Sequence, residues 1–171
     1  MIKLICQQLT SQLLCPCQNF RPDIMIDSHM LYNTLNEIFL LLDDGDRRFF
    51  GTYELSPPRY YALYHLNEQP GISFSELSNR MFCDKSNITR IIKGLEAEGL
   101  VIRRPHETDG RTLRLFLSDE GQKLCREAMN AHRIYNQERF SNLEDIKKDN
   151  LLDGLHQLKN NLRSQLDADL L

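Results

Sequence analysis

The stretch GISFSELSNRMFCDKSNITRIIKGLEAEGLVIRRPHETDGRTLRLFLSDEG, Gly71 to Gly121, reads as two short helices followed by a charged hairpin. Ser73 and Glu76 have the S-x-x-E spacing of a capping box, in which hydroxyl and carboxylate each satisfy a free amide at a helix start. A helix therefore begins near Phe74, with Phe74, Leu77 and Met81 on one face. Phe82 and Cys83 form a tight break, and Asp84, a favourable N-cap, opens a second helix. The pattern predicts a helix-turn-helix, an arrangement suited to reading DNA.

In the second helix Ile88, Ile91, Ile92 and Leu95 recur at i, i+3, i+4 and i+7, so that face packs into a core. At about 100° per residue, Ser86, Arg90 and Lys93 point away from the isoleucines, with Asn87 and Thr89 on the flanks and Lys85 leading the helix. A merely solvated helix more often carries Glu and Lys pairs at i, i+4. Here the face is basic and rich in hydroxyls, which suits a major groove where side chains meet base edges. The plainer alternative is a solvated surface.

Gly99 ends this helix as a C′ residue. Leu100 to Arg104 can then pair with Thr112 to Leu117, where Leu113, Leu115 and Leu117 alternate with Thr112, Arg114 and Phe116. The tip from Pro105 to Gly110 is polar and turn-rich. Arg103, Arg104, Arg111 and Arg114 flank it, so a hairpin with a basic rim projects beside the reading helix. Ser118, Asp119 and Glu120 cap and charge the next helix start.

Together these features resemble the winged-helix core of the MarR family of transcription regulators. The family run G-L-V-x-R-x-x-x-x-x-D-x-R, ending in L-(T/S)-x-x-G, maps onto Gly99, Leu100, Val101, Arg103, Asp109, Arg111, Leu117, Ser118 and Gly121. Cys83 to Thr89 resembles a C-D-x-S-N-V-T variant. Upstream, Leu55-Ser56-Pro57-Pro58-Arg59-Tyr60 is similar to the family's L-T-x-x-Q-Y helix start, with Arg59 in place of the usual Gln. Gly110 departs as well, since many members carry a second basic residue there.

The resemblance covers roughly residues 26 to 166. It implies a mainly α fold with a small β-hairpin wing: a winged helix-turn-helix core over about 55–118, flanked by dimerisation helices over about 27–50 and 119–168, all within a domain spanning about 25–171. It further implies a homodimer that binds double-stranded DNA at an inverted-repeat operator and acts as a repressor released by a small-molecule ligand. The DNA-contacting set is then Lys85, Ser86, Asn87, Thr89, Arg90 and Lys93, with Arg103, Asp109 and Arg111 from the wing. In the family pattern Arg111 reaches a minor groove or a phosphate while Asp109 steadies it.

Net charge is −3, from 21 basic and 24 acidic residues, which by itself argues against a nucleic-acid binder. The local balance reverses this: Arg80 to Arg114 holds eight Lys/Arg against five Asp/Glu. Local potential, not the total, governs contact with phosphate. A chain of 171 residues that is 41% hydrophobic suits one domain with a core.

Outside the core the segments read as scaffolding. Leu31, Leu35, Ile38, Phe39 and Leu42 form a helical stripe; Pro57 takes a first helical position after Ser56; Leu124, Ala128, Ala131 and Ile134 continue another helix. Asp43, Asp44, Gly45 and Asp46 lack the spacing of a Ca²⁺ loop and read as a helix end. In the last helix Leu151, Leu155, Leu158, Leu162 and Leu166 make a stripe that needs a partner. An intramolecular bundle is the alternative to the dimer that the resemblance implies.

Residues 1–24 read as an extension, a poor signal peptide and too interrupted to span a membrane. Either it packs on apolar surface or the biological start lies at Met25 or Met30. The five cysteines read as thiols, not a disulfide framework. Cys15-Pro16-Cys17 is weak as half a metal site, Cys83 reads as filling a small slot, and Cys125 reads as core. His29, His65, His106, His132 and His156 are scattered without ligand spacing, so no metal site is expected. No enzymatic motif occurs, and no cofactor is expected.

The resemblance also implies control by a ligand, since members typically bind an anionic aromatic or similar small molecule in a crevice between the dimer helices and the winged-helix core. Tyr32, Asn36, Tyr60, Tyr61, Tyr64 and His65 are the candidates to line it, the alternative being half-buried helix packing. Two other functional readings stay open: a winged-helix module that binds protein, and a thiol-based redox sensor of the same fold. A cytoplasmic regulator without membrane contact is expected.

Overall fold

The computed structural model describes residues 27–105 and 112–168. In chain order its elements are α1 (Ser28–Gly51), α2 (Pro57–Glu68), β1 (Ile72–Ser73), α3 (Phe74–Met81), α4 (Lys85–Ala97), β2 (Val101–Pro105), β3 (Leu113–Leu117), α5 (Asp119–Arg139) and α6 (Asp145–Ala168). The chain divides into two units, Met1–Leu42 and Asp43–Leu171. In the first, the opening turns of α1 leave Met30, Leu31, Tyr32, Ile38, Phe39, Leu40 and Leu41 exposed.

Capping chemistry sets the starts of α3, α4 and α5. The Ser73 hydroxyl accepts from the Glu76 amide at 3.2 Å, while the Glu76 carboxylate accepts from the Ser73 amide at 2.8 Å. That is the capping box read from the sequence. At α4 the Asp84 carboxylate accepts from the Asn87 amide at 2.8 Å. The break between the two helices is Phe82, a non-glycine residue at φ 49°, a conformation that costs roughly 1–2 kcal/mol. Buried Ser78 donates its hydroxyl to the Cys83 carbonyl and ties the turn to α3.

Gly99, at φ 74°, stops α4 in the left-handed conformation. Its amide reaches Glu96 O at 3.0 Å and the Leu100 amide reaches Leu95 O at 2.9 Å, so the last carbonyls are satisfied. The chain can then enter β2, which pairs antiparallel with β3 in the register Val101↔Leu117 to Pro105↔Leu113. Leu115 and Leu117 turn inward as expected, whereas Leu113 is exposed because its pairing with Pro105 places it at the outer end of the ladder.

The wing is more than the hairpin that the sequence predicts. β1 adds a third strand, giving the order β1-β3-β2 with Ile72 opposite Leu115, both fully buried. Two residues are too few to show alternation, so this strand has no local signature. Beneath the sheet, Leu63 and Leu66 of α2, Leu77 of α3, Ile88, Ile92 and Leu95 of α4, and Cys125 and Ala128 of α5 form one core.

Two glycines are explained by close approach. Gly121 starts α5 against the wing base, where a Cβ would stand 2.0 Å from Leu100 O. The same carbonyl accepts from the Ser118 amide at 3.0 Å. This is the physical content of the L-S-x-x-G run. The second corrects the reading of Asp43–Asp46 as a helix end: α1 runs through them to Gly51. Gly45 sits mid-helix, at a cost of roughly 0.5–1 kcal/mol, because a Cβ there would meet the Arg139 Nη2 at 2.4 Å.

Candidate nucleic-acid interface

The amphipathic design of α4 fixes which side chains face solvent. Ile88, Ile91, Ile92 and Leu95 are buried. Opposite them Lys85, Ser86, Arg90 and Lys93 are exposed, with Asn87 and Thr89 at half-buried flanking positions. The six candidates from this helix therefore share one surface. Within it Arg90 Nη2 donates to Asn87 Oδ1 at 2.9 Å, which orients both side chains, and the Thr89 hydroxyl turns back to Lys85 O at 2.7 Å. Hydrogen bonds from Ser86 and from the Asn87 amide hold the Asp84 carboxyl below its usual range, so the cap is ionised at neutral pH.

The basic rim of the wing is more engaged than its sequence implies. Arg103 forms an ion pair with Glu96 of α4 and lies over the Phe74 ring at 5.6 Å. Arg104 covers Phe116 at 4.9 Å. Arg114 is turned toward α3, donating to Gly71 O and to Glu76, each at 3.1 Å. Asp109 and Arg111 lie outside the described residues.

On the far side of α2 a crevice of about 710 Å³ is lined by Tyr60, Tyr64, Met129, His132 and Asn136, with Arg133 and Lys148 supplying positive charge. Of the six candidates for a ligand crevice, Tyr60 and Tyr64 line this one. Tyr61 instead donates its hydroxyl to Asp46 at 3.3 Å, and burial, then Asp46, pushes its phenol up. His65 packs edge-on to Tyr64, and burial, then Arg80, lowers its basicity. Tyr32 and Asn36 belong to the first unit, where both are exposed.

Sequence reading missed what lies beside this crevice. Asp46 is buried, with Oδ1 accepting from Arg139 Nη1 at 2.7 Å and lying 3.2 Å from His132 Nε2. Arg139 also covers the Tyr135 ring at 4.0 Å. Cys125 is enclosed beside Met129, and burial pushes its thiol up to about 11, so it remains a protonated core group. Cys15 and Cys17 lie outside the described residues. No helix among the described residues is long and apolar enough to cross a membrane.

Known proteins carry the same arrangement. The BldR regulator of Sulfolobus solfataricus superposes with a TM-score of 0.70 at 27% identity, covering 81% of this chain and 98% of BldR. CouR, a transcriptional repressor solved bound to a 23-mer DNA duplex, superposes with the same TM-score of 0.70 at 22% identity, covering 77% and 94%. TtmR of Methylorubrum extorquens, an HTH-type transcriptional regulator, is 37% identical over 78 residues, 46% of this chain but only 40% of TtmR. PecS of Dickeya dadantii, another such regulator, is 30% identical over 118 residues, 67% of this chain and 71% of PecS. The MarR family pattern itself matches residues 55–113, from just before α2 to the start of β3, a span that contains α3 and α4. With a relative matched over most of its length and the helix-turn-helix and wing in the expected order, this chain belongs to the MarR family.

Proposed function

We propose that this protein is a dimeric, sequence-specific DNA-binding transcription regulator, a repressor working in the cytoplasm and released by a small anionic aromatic ligand. The observation that carries the reading is the division of α4 into a buried isoleucine face and an exposed face of Lys85, Ser86, Arg90 and Lys93. Such a helix presents hydrogen-bonding groups to base edges while its apolar side is fixed to a rigid core. In this reading Asn87 and Thr89 complete the base-reading set, and Arg103, Asp109 and Arg111 serve the wing. α1 and α5–α6 supply the dimer contacts around a core of about 55–118, and the twofold axis sets an inverted repeat with half-sites ~34 Å apart.

The test is titration of the DNA beside its own gene, and of a scrambled duplex, across salt concentrations. The wild type prefers the former. Arg90→Ala costs roughly 1–3 kcal/mol there and much less on the scrambled duplex, because a lost base contact matters only where the right base is present. Equal losses on both duplexes would mean that the reading face is assigned wrongly.

The crevice supports the ligand part of the reading, since aromatic walls and the cations Arg133 and Lys148 suit an aromatic carboxylate. Salicylate at millimolar concentration is expected to weaken operator binding in the wild type and to do so less in Tyr64→Ala. Identical inhibition curves would remove this crevice from the mechanism.

A further inference from the structure

A second groove, of about 260 Å³, runs between the start of α2 and the exposed side of α4, lined by Ser56, Pro58, Arg59, Asn87, Arg90 and Gly94. Asn87 and Arg90 belong to the reading face as well, so the groove is continuous with it. We propose that this groove clamps one phosphate of the DNA backbone through the Arg59 guanidinium and the Ser56 hydroxyl. The inference rests on the DNA-binding reading above and assigns a contact that reading does not contain.

Helix starts ordinarily hold phosphates with free backbone amides. α2 cannot. Pro57 and Pro58 occupy its first two positions and have no N–H, while the Arg59 and Tyr60 amides both go to Ser56 O at 3.0 Å. With the N2 amide absent and the Arg59 amide turned to Ser56 O, the Ser56 side chain makes no capping bond, although its residue stands in the N-cap position with φ −91° and ψ 157°. Any anion at this place must therefore be held by side chains, and Arg59 stands where the related helix start carries Gln.

Arg59 is prepared for that role. A guanidinium has five N–H donors in a fixed fork. One terminal nitrogen is engaged by Glu98, beyond the last turn of α4, and Nε is enclosed with no acceptor. The side chain is only 24% exposed, so it is held against the protein instead of waving in solvent. Glu98 fixes the fork at the edge of the groove, and a phosphate oxygen would accept from the other terminal nitrogen, the enclosed Nε lying out of its reach.

The competing role for Arg59 is a structural ion pair stapling α2 to the end of α4. Glu98→Gln separates the two, because glutamine keeps an acceptor for the guanidinium while deleting the charge that competes with phosphate. For the clamp, Arg59→Gln weakens binding to operator and scrambled duplexes alike by at least about tenfold. It also lowers the salt slope by about one unit per subunit. Arg59→Lys restores part of that slope, and Glu98→Gln tightens binding on both duplexes by a few-fold. Melting temperatures measured on all three variants identify any loss caused by unfolding.

Equal weakening by Arg59→Gln and Glu98→Gln, or an unchanged salt slope in a folded Arg59→Gln, would overturn the clamp while leaving the DNA-binding reading intact. Failure of the wild type to bind any duplex would overturn that reading and the clamp with it.

Discussion

Replacing Leu155 and Leu162 together with glutamate is expected to yield a monomer whose affinity for operator DNA falls by about 10²–10⁴. No residue of α6 is buried within the chain, and Leu151, Leu152, Leu155, Leu162 and Leu166 are all at least 40% exposed along it. A contiguous apolar stripe of this length is rarely left in water by a soluble monomer. Each leucine side chain buried in a dimer contributes about 1.5–3 kcal/mol. The double variant also places four carboxylates in a twofold interface. The loss on DNA exceeds the loss of any single contact because a dimer places its second reading head at high effective concentration once the first has bound. Sedimentation velocity checks the assembly and an anisotropy titration checks the affinity. A variant that still sediments as a dimer would remove α6 from the interface.

Asp46→Ala is expected to lower unfolding stability by about 2–4 kcal/mol, below the full cost of breaking a buried ion pair because the Asp46 and Arg139 side chains keep slight contact with solvent. Asp46 accepts from Arg139 and Tyr61 and lies against His132, so its removal takes the charged partner from a cation that keeps only Asn136 Oδ1 at 3.1 Å, and leaves the Tyr61 hydroxyl without its acceptor. The Arg139 Nη2 has no hydrogen-bond partner even in the intact protein, so without Asp46 the guanidinium keeps a single neutral acceptor, Asn136. Asp46→Asn, keeping the shape and an acceptor oxygen, should fall between the two. Urea denaturation followed by circular dichroism reads the difference. A loss under about 0.5 kcal/mol, the range of ordinary surface changes, would show that the cluster does not hold the end of α1 to α5.

What was legible in the chain was what could be decided within a few residues. The box between Ser73 and Glu76, the Asp84 cap, the isoleucine period of α4 and the stop at Gly99 each close a local hydrogen-bond problem, and each appears as read. The same period that buries Ile88 and Ile92 also dictates the surface of Lys85, Ser86, Arg90 and Lys93, so most of the candidate interface came with the helix. Partners far apart in the chain were not legible. β1 is too short for a pattern and exists only because β3 returns beside it. Asp46 meets Arg139 across 93 residues and Arg59 meets Glu98 across 39. Gly45 misled for a related reason: a glycine among aspartates is a sound stop signal until a distant arginine needs its space. For the ligand candidates, counting tyrosines found two lining residues but not His132 or Arg133, which come from a helix that composition alone could not bring alongside α2.

The junction at Leu100 has a mechanical consequence. Its carbonyl accepts from the Ser118 amide and leaves no room for a Cβ at Gly121, so the base of the wing and the first turn of α5 meet in one close contact. α5 has 21 residues, and at about 1.5 Å per residue it is a rod roughly 30 Å long. Turned by only ~5° about that contact, the rod carries its far end, where Asn136 and Arg139 sit, through nearly 3 Å, by the same helix geometry. If α5 turns as a rigid rod about this contact, an ångström-scale push at the distant end would reach the wing base as a turn of a few degrees with almost no translation. Length added to the tip of the wing would leave this contact untouched, while a single methyl group at residue 121 would force it apart.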